Sequence, residues 1–140
     1  MINIKTIGIL LIVLAFSFST EAQTSTTKDQ NNYVVLTRNL SQLQVIFATS
    51  KDLKIEDGVN YGEFHVIVCG ETVKELTDHT VREGLLAKAK EAKVNIVICG
   101  FSLDNFDVDR NAISKDLKIV DNGLLYNFQL QKKGFISIEL

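Results

Sequence analysis

The sequence predicts an α/β fold, a three-layer α/β/α sandwich around a mostly parallel five-stranded sheet. Three observations carry that expectation. Asn95-Ile96-Val97-Ile98-Cys99-Gly100 repeats, thirty residues on, the pattern of His65-Val66-Ile67-Val68-Cys69-Gly70. Continuous runs of β-branched residues of this kind belong to strands buried on both faces, as parallel strands are. The segment between the two runs is amphipathic at helical spacing, so together they read as a βαβ unit. The same alternation of short apolar runs and helical stretches continues to the C-terminus, which favours layered α/β architecture.

The chain has 140 residues, 46% of them apolar, enough for one packed domain. Its net charge is −2. A phosphate backbone demands concentrated positive charge, so nucleic acid is not an expected partner. Residues 1–22 read as a signal peptide: Lys5, an apolar run from Ile7 to Phe18, then the small-x-small site Thr20-Glu21-Ala22. That run is shorter than the ~20 residues that span a bilayer, so no membrane association is expected once the leader is removed; an uncleaved anchor is the alternative. The expected location is periplasmic or secreted.

Taken in order, residues 23–32 (QTSTTKDQNN) are polar and without period, and read as a disordered linker ahead of a domain over 33–140. Tyr33 to Leu36 is the first strand. Leu40, Leu43, Ile46, Phe47 and Leu53 share one helix face, followed by a charged loop from Lys54 to Gly62. Glu63 to Cys69 is the second strand, Glu71 to Asp78 a helical turn, and His79 to Lys93 a helix with Val81, Leu85, Leu86, Ala89 and Ala92 inward. Val94 to Cys99 is the third strand. Asp104 or Asp107 is the expected cap of a helix reaching about Leu117, with Val108, Ala112 and Ile113 toward the core. Ile119-Val120 is a short strand and Asp121-Asn122-Gly123 a turn. Leu124, Leu125 and Phe128 mark a last helix, ended by Lys132-Lys133-Gly134. Phe135 to Leu140 closes the sheet, its alternation showing that one face is less covered.

In sheets of this kind, sites gather beyond the carboxyl ends of the strands. Cys69 and Cys99, the two cysteines of the chain, both fall there. A reactive thiol needs a lowered pKa and access, and a cysteine just before a helix start can gain the first from free N–H groups. Gly100 would let the backbone turn closely around the sulfur. The opposing reading is that a free cysteine is a small buried hydrophobe. If their strands are neighbours, about 4.8 Å apart, Cys69 and Cys99 also fall within reach of a labile disulfide. Arg38, ending the first strand, could face the same edge and hold an anionic sulfur species.

Other constellations fail. His65 lies about 13 Å along a strand from Cys69, too far to share a metal. There is no Cys-x-x-Cys, no glycine-rich phosphate loop and no Gly-x-Ser-x-Gly elbow around Ser102, so neither a metal nor a cofactor is expected. His79 begins a polar helix and reads as solvated.

From Tyr33 to Leu140 the chain resembles the DsrE/DsrF-like family of sulfur-relay proteins. The carrying residues are Val94 to Gly100, and the closing Gly123-Leu124-Leu125 and Gln131-Lys132-Lys133-Gly134-Phe135-Ile136-Ser137-Ile138. The resemblance implies a five-stranded sandwich assembling into homo-trimers or hexamers, with the second and third strands adjacent. It implies that Cys99 carries a persulfide, taking sulfur from a donor and passing it to an acceptor protein. Cys69 matches no motif of the family. The leader also departs from its cytoplasmic relays. The alternative is a non-catalytic module binding a small molecule or partner, its cysteines structural or a labile disulfide.

Overall fold

The computed structural model of the chain describes residues 30–140. The leader read at 1–22, and most of the linker read at 23–32, lie outside the described residues. Five strands form one sheet: β1 (Asn31–Thr37), β2 (Tyr61–Val68), β3 (Asn95–Cys99), β4 (Lys118–Val120) and β5 (Ile136–Glu139). All neighbouring pairs are parallel, in the order β4-β3-β2-β1-β5. Among the described residues four α-helices accompany them: α1 (Leu43–Asp57), α2 (His79–Ala92), α3 (Gly100–Asn105) and α4 (Gly123–Gln131).

This strand order explains the layers. From β1 to β4 the chain always steps toward the same edge, so right-handed crossovers place their helices on one face. The return from β4 to β5 runs the other way over three intervening strands, and the same handedness puts its helix on the opposite face. Accordingly α1 and α2 cover the side carrying Val35, Phe64, Val66, Ile96 and Ile98, where Leu103 of α3 also packs. Among the described residues α4 alone rests on the other side, across β1, β2 and β3, over Val34, Leu36, Ile67 and Val97. The centre strands are sealed on both faces, as their β-branched runs require.

The chain departs from its sequence-level reading at several boundaries, each for a local reason. β1 begins at Asn31, so the last two residues of the polar lead-in are strand; the Asn32 side chain accepts the Glu63 N–H at 2.7 Å. α1 runs through Asp57, further into the charged segment than its apolar face suggested, and stops at Gly58, whose φ of 57° ends a helix. Asp57 is retained there because its carboxylate accepts from Asn31 and from the Tyr33 hydroxyl, both at 2.7 Å. α2 is capped by Asp78, whose side chain accepts from the backbone of Thr80 and Val81. Its inward residues are Leu85, Ala89 and Ala92, with Leu86 partly buried against the same core, while Val81 faces out.

The expected helix from Asp104 or Asp107 to Leu117 does not form. Instead β3 turns straight into α3 with Cys99 as its cap, and Asp107, at φ 56°, closes that short helix. A single 3-10 turn at Arg110–Ala112 follows; Val108 and Ile113 reach the core, but Ala112 is exposed. On α4 the expected apolar face is turned outward. Gly123, Asn127 and Leu130 are buried, and Leu124, Leu125 and Phe128 are 48, 54 and 52% exposed. On β5, likewise, Ile136 and Ile138 lie largely open, as does Leu140 just past it, because that edge strand extends beyond the cover of α1.

Candidate functional site

Cys69 and Cys99 come together at the carboxyl edge of the sheet, under the first turn of α4. Val68 of β2 is in register with Ile98 of β3, so the next residue of each strand is a cysteine opposite a cysteine. The ladders run past the strand ends and fix both positions: the Cys69 N–H donates to the Thr37 carbonyl at 2.9 Å, and the Phe101 N–H to the Asp121 carbonyl at 2.7 Å. Neither thiol is bridged. Both point to the face that α4 covers, and they pack with Ile67, Val97 and Leu130.

The roof is Gly123. A side chain there would bring its Cβ within 2.8 Å of Cys69 Sγ, 2.9 Å of Ile67 Cγ2 and 3.0 Å of Cys99 Cβ. Only glycine lets the helix settle this low, and in doing so its N–H donates to Cys99 Sγ at 3.2 Å. Asn122 starts the helix, its side chain accepting the Leu125 N–H at 3.0 Å, which leaves the Gly123 N–H free for the sulfur.

The two sulfurs have opposite electrostatics. Burial opposes a charge on Cys99, yet hydrogen bonds outweigh it and hold the thiol below its ordinary pKa: the Ser102 hydroxyl, the Gly123 and Ser102 N–H groups, and the Cys69 thiol. Ser102 Oγ accepts the Gly70 N–H at 2.9 Å, so its own proton is available to Cys99. For Cys69, burial, then the adjacent charge of Cys99 and the hydrogen bond it gives to that sulfur, push the pKa up to about 12. The first proton to leave the pair is therefore that of Cys99, and Cys69 keeps its own.

Access differs from the sequence-level expectation of a sulfur presented at the rim. Cys99 is only 4% exposed and Cys69 8%. The helix start points at the sulfur as expected, but it also covers it. Gly100 does not wrap the sulfur: a Cβ there would meet the Arg110 guanidinium at 2.8 Å and the Val120 carbonyl at 3.0 Å, so glycine serves the packing of α3 against β4. Arg38 reaches the same rim and is ion-paired with Glu139 of β5. It lies nearer Cys69, whose ionisation it favours and Glu139 opposes.

Sequence reasoning did not find Gly123, Asn122 or Ser102 as parts of this site. Asn122-Gly123 read as a turn, although Asn followed by Gly and then apolar residues also fits a cap and a first helical residue. Ser102 has no sequence motif that marks it as a donor to a sulfur. Arg110 was also missed; its bidentate pair with Asp104, at 3.1 and 2.7 Å, straps the segment after α3 across that helix. His65 stays apart from the cysteines, four residues back along β2. It is buried, with Nε2 2.7 Å from Glu63 and Nδ1 3.3 Å from the Tyr126 hydroxyl.

No family model matches the chain, and no curated protein matches it. Among solved structures it is similar to the protein of unknown function MTH1491 from Methanobacterium thermoautotrophicum. The TM-score is 0.63 at 15% identity, covering 79% of this chain and 100% of that one. Such a likeness carries the three-layer α/β/α fold and nothing further.

Proposed function

We propose that the protein is a sulfur carrier of the DsrE-like kind, with Cys99 as the atom that takes up and releases sulfane sulfur. The observation that carries this reading is the donor set around Cys99. A buried thiol held below its ordinary pKa needs groups aimed at the sulfur, and here the Gly123 N–H and the Ser102 hydroxyl supply them. The Cys99 thiolate would attack the terminal sulfur of a persulfide or polysulfide donor, forming the Cys99 S–S bond and expelling the donor's thiolate or sulfide. An acceptor thiolate then attacks the outer sulfur and restores Cys99. The leader expected at residues 1–22 supports placing this chemistry outside the cytoplasm.

Low exposure of the sulfur favours the second reading, a binding module whose cysteines only line or brace the fold. One experiment separates them. The full chain and its Cys69→Ser variant are incubated with inorganic polysulfide, and peptide mass spectrometry locates added sulfur. A gain of about 32 Da on Cys99, the mass of one persulfide sulfur, is expected in the variant. Its absence from both proteins overturns the carrier reading and leaves the binding module.

The homo-oligomer implied by the resemblance has support in the outer face of α4. Leu124, Leu125 and Phe128 form an apolar row on a helix whose inner face is already satisfied, and such rows mark association surfaces. Leu125→Asp with Phe128→Asp is expected to shift sedimentation of the full chain from an oligomer to a monomer while the circular dichroism stays unchanged. A native chain that sediments as a monomer at all concentrations would remove this part of the proposal.

A further inference from the structure

In simple sulfur carriage Cys69 would do no more than give Cys99 a hydrogen bond, yet the fold brings its own sulfur against the one that would carry the load. The register of β2 and β3 sets it opposite Cys99. Adjacent parallel strands lie about 4.8 Å apart, inside the range of Cα separations that a disulfide tolerates. One glycine roofs both side chains, and the two thiols share a hydrogen bond. Both thiols are free and packed in the same apolar cluster.

From this placement we infer that Cys69 is a resolving thiol: it attacks the persulfide on Cys99, releases the carried sulfur as sulfide, and leaves a Cys69–Cys99 disulfide. The inference rests on the reading of Cys99 as the persulfide-bearing residue. In the step, the Cys69 sulfur forms a bond to Cys99 Sγ while the bond from Sγ to the outer sulfur breaks. The outer sulfur takes the bonding pair and the Cys69 proton and departs as HS⁻. Two electrons thus pass from the two cysteines to the sulfane sulfur, and charge is conserved. Two external thiols, or one dithiol, reopen the bridge by exchange and close the cycle.

The neighbourhood suits this sequence of events. While Cys99 is a free thiolate, Cys69 is kept protonated beside it and does not compete for the donor. Loading Cys99 replaces that charge on Sγ by a covalent bond and moves charge to the outer sulfur. The acidifying influence of Arg38, now offset by Glu139, remains at the rim next to Cys69. Cys69 already lies beside Sγ, whereas an external thiol must first displace the cover over the two sulfurs, so the intramolecular attack goes first.

The test is a single-turnover reaction without reductant. Full-length native chain and Cys69→Ser are loaded with one equivalent of inorganic polysulfide, and sulfide release and intact mass are followed over time. The native chain is expected to lose the added sulfur within the experiment. It should release about one sulfide per chain more than Cys69→Ser, whose release reports what loading alone expels, and end about 2 Da lighter than the reduced protein, with a linked Cys69–Cys99 peptide. Cys69→Ser should hold the adduct on Cys99 at least about ten-fold longer. If the native chain keeps the adduct on Cys99 as long as the variant does, the inference is wrong while the carrier reading stands. Sulfur found moved onto Cys69 without a bridge also overturns it. Absence of any adduct from both proteins removes the carrier reading itself. Cys69→Ala provides a second variant if the serine disturbs folding, and the linked peptide in the native chain decides the matter on its own if neither variant folds.

Discussion

Gly123→Ala is expected to destabilise the protein by about 3 kcal/mol, near the upper end of what overpacking one methyl group costs in a tight core. The new Cβ would sit 2.8 to 3.0 Å from Cys69 Sγ, Ile67 Cγ2 and Cys99 Cβ. None of these is the loose end of a long side chain. Ile67 is fully buried in β2, and both cysteines are tied to the sheet edge by backbone hydrogen bonds. The clash is relieved only if the start of α4 lifts, and that carries the Gly123 N–H away from Cys99 Sγ. The same substitution should therefore move the pH midpoint of Cys99 alkylation upward, because the thiolate loses a donor. Gly84→Ala is the control: it lies within α2 with open space around it, and should stabilise by about 0.5–1 kcal/mol through helix propensity alone. Urea midpoints and the pH profile of thiol alkylation read both effects. Equal midpoints for native chain and Gly123→Ala would mean that α4 does not rest on the two sulfurs.

What made the fold legible was the pair of apolar runs around Val66 and Val97. A strand buried on both faces leaves a mark that short edge strands lack, and both runs proved central. The site was half legible. Residues that end central strands fall at the carboxyl edge by topology alone, so the meeting of Cys69 with Cys99 followed once β2 and β3 were neighbours. Exposure did not follow, because it depends on how low α4 sits, and that is set by the missing side chain at position 123. The outward turn of Leu124, Leu125 and Phe128 was hidden for a related reason. Periodicity identifies a face but not its direction, and the inner face is defined by Gly123, Asn127 and Leu130, of which only the last is apolar. Asn127 can be buried because its carbonyl oxygen accepts from the Ser137 hydroxyl at 2.9 Å, a tertiary pairing that no local pattern announces. The strap made by Arg110 and Asp104 replaced an expected helix for the same kind of reason.

Stability should pass through a maximum near pH 9 on account of the two cysteines, and fall by a few kcal/mol toward pH 12, at about 1.4 kcal/mol per pKa unit. The sign follows from which state holds the protons. Cys99 is below its ordinary value of 9.0 in the folded protein. Between its folded pKa and 9, the unfolded chain binds the extra proton, so stability rises with pH. Cys69 is pushed up to about 12 by burial and by the neighbouring charge. From 9 to 12 the folded protein holds a proton that the unfolded chain has lost, and stability falls. Tyr33, raised to about 12 by burial and by its bond to Asp57, contributes a fall of the same sign over a partly overlapping range. The cysteine share is isolated by comparing urea denaturation of the native chain and of Cys69→Ser across pH 7 to 12, in reductant so that both thiols stay free. The variant should lose much less stability above pH 9 than the native chain. Parallel curves for the two proteins would mean that Cys69 ionises in the folded protein as it does in the unfolded chain, with neither burial nor a neighbouring charge holding its proton.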